Sequence, residues 1–67
     1  SIMKNIISSE MPESPYSDED ISKIFERRNI TVARRTVAKY RKILKIPSSS
    51  VRSRKYKENK NESNSNN

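Results

Sequence analysis

The sequence predicts an all-α domain: three short helices, the last two forming a helix-turn-helix, followed by a disordered C-terminal tail. Three observations point there. Apolar residues recur at helical spacing in separate segments. A capped acidic helix start at Ser17 is followed by a very short connection to a second, strongly basic helical pattern. Beyond residue 50 the chain is Ser, Asn, Lys and Glu with almost nothing apolar. The division is a folded domain over residues 1–50 and a basic, Asn-rich tail over 51–67.

The first helix rests on Ile2, Met3, Ile6 and Ile7, and is expected over about Ile2 to Ser9. Pro12 and Pro15 end it, because proline lacks an N–H and restricts the residue before it. The pattern begins at once, as expected of a piece of a longer chain. The second helix opens at Ser17, an N-cap with Asp20 in the reciprocal position. Asp18, Glu19 and Asp20 suit the positive end of the helix dipole, and read as a helix start rather than a metal site. Ile21, Ile24 and Phe25 form its apolar stripe. Arg27 and Arg28 suit its C-terminal end, and Asn29 tolerates the left-handed backbone that stops a helix. The span is then Asp18 to Arg28.

Asn29-Ile30-Thr31 is the turn, with Thr31 as the next N-cap, and the third helix is expected over Val32 to Lys45. Its inward stripe is Ala33, Val37, Tyr40 and Leu44. Opposite lie Arg35, Ala38, Lys39 and Lys42, with Arg34, Arg41 and Lys45 along one flank. Thr36 stands at the core boundary, where packing and a phosphate contact are both open.

The chain of 67 residues carries 15 Lys and Arg against 8 Asp and Glu, a net charge of +7. That balance favours a polyanionic partner. The sequence has no Cys, His or Gly. Disulfides, thiolate or imidazole metal sites, an imidazole general base and glycine-rich phosphate loops are therefore excluded, and no catalytic constellation or cofactor site emerges. No apolar run is long enough to span a bilayer. A basic amphipathic helix can also dock on an anionic membrane, but the apolar stripe here holds Ala33 and Tyr40, has no Trp or Phe, and is needed for the helix pair's own core, so no membrane partner is expected.

A basic helix face can simply be solvated, or can dock on an acidic partner. The helix-turn-helix favours DNA instead. Ala38, small and central, lets the helix approach base edges. Arg35, outward in the first turn, is placed to fork onto guanine. Lys39 is next in line for a base or a phosphate, while Arg41, Lys42 and Lys45 are expected on phosphates. Arg52, Arg54 and Lys55 either follow the DNA backbone or stand in solvent.

The nine residues Ala33-Arg34-Arg35-Thr36-Val37-Ala38-Lys39-Tyr40-Arg41 resemble the RpoN box. That motif marks the C-terminal DNA-binding domain of the bacterial RNA polymerase sigma-54 factor family. Val32 before the box, Pro15-Tyr16-Ser17-Asp18 upstream and Ile46-Pro47-Ser48-Ser49 downstream resemble the family too. The resemblance covers about Ile2 to Ser50; Asn29 stands where the family often has Gly, and the tail is unmatched. It implies double-stranded promoter DNA as partner, with the GG-containing upstream element read through the helix-turn-helix. Core RNA polymerase would be bound by other parts of the full factor. Carried over by position, it makes Arg34 and Arg35 the leading DNA contacts; helix geometry favours Arg35 for the bases, while Arg34, about 100° away, is open to a phosphate contact or a pair with an acid on the neighbouring helix. A cytoplasmic location is expected, with no signal-peptide core at the start, and this fragment is expected to be monomeric.

Overall fold

The computed structural model describes the backbone of residues 1–65 and the side chains of residues 1–59. It is all helical, with α1 at Ile2–Ser8, α2 at Asp18–Arg27, α3 at Arg34–Ile43 and α4 at Ser49–Ser65. Met3, Ile6 and Ile7 of α1, Ile21 and Phe25 of α2 and Val37 of α3 make one core. Ile21 and Val37 are fully buried at 0% exposure and stand at its centre. Ile30 and Val32 from the turn, with Leu44 and Ile46 after α3, close over it.

α2 starts as its sequence requires. The Ser17 hydroxyl accepts from the Asp20 N–H, and the Asp20 carboxylate accepts from the Ser17 N–H, both at 3.1 Å. Such a reciprocal box satisfies donors that a helix start leaves open and stabilises it by about 1 kcal/mol. The end of α2 is a Schellman turn: Asn29 has φ 63°, and the Ile30 N–H reaches back 2.9 Å to the Phe25 carbonyl. Ile30 and Phe25 then meet in the core.

The turn is longer than Asn29 to Thr31, and α3 starts at Arg34 rather than Val32. Thr31 is no cap; Ala33 takes that position with an extended backbone and no side chain to offer. The cause lies in the neighbouring helix. Ser22 of α2 donates its hydroxyl to the Val32 carbonyl at 2.5 Å, while Ile30 and Val32 both turn toward the core. The segment therefore stays extended until Ala33.

α3 also stops earlier than Lys45. Lys45 has φ 60°, and the Ile46 N–H reaches the Arg41 carbonyl at 2.9 Å, a second Schellman turn. Tyr40, expected on the inward stripe, is 50% exposed, and Ala33 is exposed as well. Arg41 goes inward in their place, at 8% exposure. The buried side of α3 therefore runs through Val37 and Arg41, and Arg41 is paired there with Asp18.

A fourth helix replaces the disordered tail expected from residue 51, over the described part of that segment. Its apolar content alone does not hold it; Arg52, only 5% exposed, does. The Arg52 Nε and Nη2 atoms donate to the Glu10 carboxylate, each at 2.8 Å. Nη2 also donates to the Tyr16 carbonyl at 2.6 Å and Nη1 to the Pro47 carbonyl at 2.8 Å. The Tyr56 hydroxyl donates to Glu10 at 2.6 Å, and the Tyr16 N–H does so at 2.9 Å. Burial alone would raise the Glu10 pKa, but these donors, Arg52 first, hold it below the ordinary glutamate value. The same contact lifts the Tyr56 hydroxyl above its ordinary value. The side chains from residue 60 onward and the backbone of residues 66 and 67 lie outside the described residues, and the expected tail there with them.

Candidate nucleic-acid interface

The outer face of α3 is built from charge on a rigid support. Val37 pins the inward side, so residues about half a turn away face out: Arg35, Lys39 and Lys42. All three are exposed, as is Arg34 in the first turn. Among the described residues none of these four cations forms an ion pair. Their donors are therefore available to an anion. Ala38 lies among them, half-buried, and adds only a methyl group to the surface.

Arg34, Arg35 and Ala38 share one open depression with Ser17, Asp18 and Glu19 from the start of α2 and with Ser49 from the start of α4. The first turn of α3 lacks a side-chain cap; its Thr36 N–H turns back to the Ala33 carbonyl at 2.9 Å. Two acids here would repel a polyanion, and both are paired: Glu19 loosely, on the surface, with Lys23 at 3.9 Å, and Asp18 closely with Arg41. Asp18 accepts from Arg41 Nε at 3.0 Å and from Arg41 Nη2 at 3.3 Å. Arg41 Nη1 donates to the Ile46 carbonyl at 3.0 Å.

The structure thus brings Arg34, Arg35, Ala38, Lys39 and Lys42 together and takes Arg41 out of the group. Arg41 was expected on phosphate by its flank position, but its guanidinium is buried between α2 and α3. Thr36 is half-buried beside the face, and Lys45 is exposed at the left-handed position that ends α3. Arg27 and Arg28 are exposed at the end of α2. Sequence periodicity misses Asp18 as the partner of Arg41 and Glu10 as the partner of Arg52. Both are polar contacts between distant segments, and the only local sign of the first is an acid in the opening turn of α2.

These features define a helix-turn-helix domain whose second helix presents a basic face. The family model described as the sigma-54 DNA-binding domain matches residues 1–54, so the chain belongs to that family. The RNA polymerase sigma-54 factor of Azotobacter vinelandii is 51% identical over 53 residues, covering 79% of this chain and 11% of the relative. That of Acinetobacter guillouiae is 50% identical over 50 residues, covering 75% and 10%. That of Escherichia coli (strain K12) is 45% identical over 51 residues, covering 76% and 11%. The chain spans about a tenth of the length of these relatives. No solved structure matches it significantly. The family is one of DNA-binding domains, not of enzymes. Among the described residues no helix is long and apolar enough to cross a membrane.

Proposed function

We propose that this domain anchors a sigma-54 factor to promoter DNA by laying α3 in the major groove. The observation that carries the reading is the free basic face of α3, with Arg35 in the first turn beside the small Ala38. In helix-turn-helix proteins the N-terminal residues of the second helix reach base edges. Arg35 forks onto guanine O6 and N7 of the GG-containing upstream element. Arg34, Lys39 and Lys42 neutralise phosphates on either side, with Thr36 and Lys45 at the margins of the same contact. Asp18 stays compatible with DNA because Arg41 holds its charge. In this reading the longer factor supplies the contacts with core RNA polymerase, and the domain serves transcription initiation as its promoter reader.

The test compares Arg35→Ala with Lys42→Ala on two short duplexes, one carrying the GG element and one with it scrambled. Arg35→Ala is expected to lose about 1–3 kcal/mol of discrimination, and Lys42→Ala to weaken both duplexes alike. Equal losses on both duplexes for Arg35→Ala would remove it from base reading.

A further inference from the structure

We infer that α4 is a second DNA-binding element, whose exposed cations Arg54, Lys55 and Lys57 hold the phosphate backbone beside the groove that α3 enters. The inference rests on the promoter-binding reading above. Three observations carry it.

The first is where α4 begins. Ser49, its first residue, lines the same depression as Arg34, Arg35 and Ala38. α4 therefore leaves the body of the domain from the edge of the basic face. At 1.5 Å per residue, Arg54 stands about 7.5 Å and Lys57 about 12 Å further along the helix axis.

The second is that α4 is fixed. Arg52 and Tyr56, one helical turn apart, both bond the buried Glu10 carboxylate. The side of α4 that faces the body is thus set by hydrogen bonds with defined geometry. A helix held this way presents its outer side chains at constant positions, so their binding to DNA costs less ordering than that of a loose tail.

The third is the charge left outside. Arg52 is neutralised by Glu10. Arg54, Lys55 and Lys57 are exposed, and Glu58 is the one exposed acid among the described residues of α4. None of the three cations forms an ion pair among the described residues. Lys57 also borders a shallow cleft with Pro12, Glu13 and Tyr56, while Arg54 and Lys55 stand on open surface, which suits phosphates. Contacts of this kind add affinity without sequence preference.

The experiment is a salt titration of the whole chain on the GG and scrambled duplexes, for the parent and for Arg54→Ala/Lys55→Ala/Lys57→Ala. The slope of log K against log salt is expected to shrink by about 2 to 3 in the triple variant. The ratio of affinities for the two duplexes is expected to stay the same. An unchanged slope would overturn the inference, as would a changed ratio. Phosphate ethylation interference gives the second readout: the triple variant should lose one discrete cluster of phosphates beside the groove. An unchanged interference pattern, or a loss spread evenly along the duplex, would contradict a fixed α4. A parent with no preference for GG would sink the promoter reading, while the loss of slope would still report on α4.

Discussion

Arg41 and Asp18 tie the two helices of the helix-turn-helix together through a forked contact, with Nε–Oδ1 at 3.0 Å and Nη2–Oδ2 at 3.3 Å. The same guanidinium holds the Ile46 carbonyl, just past the left-handed Lys45. One side chain thereby sets the packing of α2 on α3, the exit of the chain from α3, and the charge at the edge of the basic face.

Arg41→Ala should act on stability. It leaves a partly buried carboxylate and a carbonyl without their donor, at a cost of about 1–3 kcal/mol. Arg41→Lys should not restore it, because an ammonium lacks the fork. Urea unfolding of the two variants checks this. A parent-like midpoint for Arg41→Ala, with weakened DNA binding, would return Arg41 to the phosphate contacts.

Glu10 should make stability fall in acid. Its pKa is held below the ordinary glutamate value in the folded chain, so the folded chain releases this proton more readily than the unfolded one. The stabilisation is therefore complete above the ordinary value and is lost as pH falls through the lowered one, beginning below about pH 5. Glu10→Gln should remove that part of the acid dependence. It also strands the Arg52 charge, a loss of about 3–5 kcal/mol at a buried pair. Tyr56→Phe removes one hydrogen bond to a charged group and should cost about 1.5–3 kcal/mol. Unfolding midpoints measured across acidic pH for the parent and Tyr56→Phe separate the two effects.

Lys45→Gly should stabilise the domain by up to about 1 kcal/mol, since a side-chain-bearing residue is strained at φ 60°. Asn29→Ala should destabilise by a similar amount, about 1 kcal/mol, at the matching turn. Thermal melts of the two variants should shift in opposite directions.

Val37→Ala should cost more than Tyr40→Ala, although tyrosine is the larger side chain. Val37 is 0% exposed and Tyr40 is 50% exposed, so the methyl groups of Val37 leave a cavity that Tyr40 does not. The reverse order in chemical unfolding would put Tyr40 back on the core stripe.

Much of this was legible in the sequence because it is local. The Ser17–Asp20 box, the left-handed Asn29 and the stripe Ile21, Ile24, Phe25 depend on neighbours within a turn or two. The exposed group Arg35, Lys39 and Lys42 follows from helix geometry once Val37 is placed inside. The misses share one cause. Arg41 pairs with Asp18 across 23 positions and Arg52 with Glu10 across 42, so no periodicity of apolar residues reports them. Counting charged residues as solvent-facing puts Arg41 on DNA, gives its inward place to Tyr40, and leaves α4 as a tail. The late start of α3 is a similar case, set by a hydroxyl of α2 on the Val32 carbonyl.

The most direct measurement is the affinity of the unmodified chain for the GG duplex and its scrambled counterpart as salt is raised. Affinity for both should fall steeply, since phosphate contacts supply most of it, while the preference for GG persists. Equal affinities at every salt concentration would show that α3 contributes charge without reading bases.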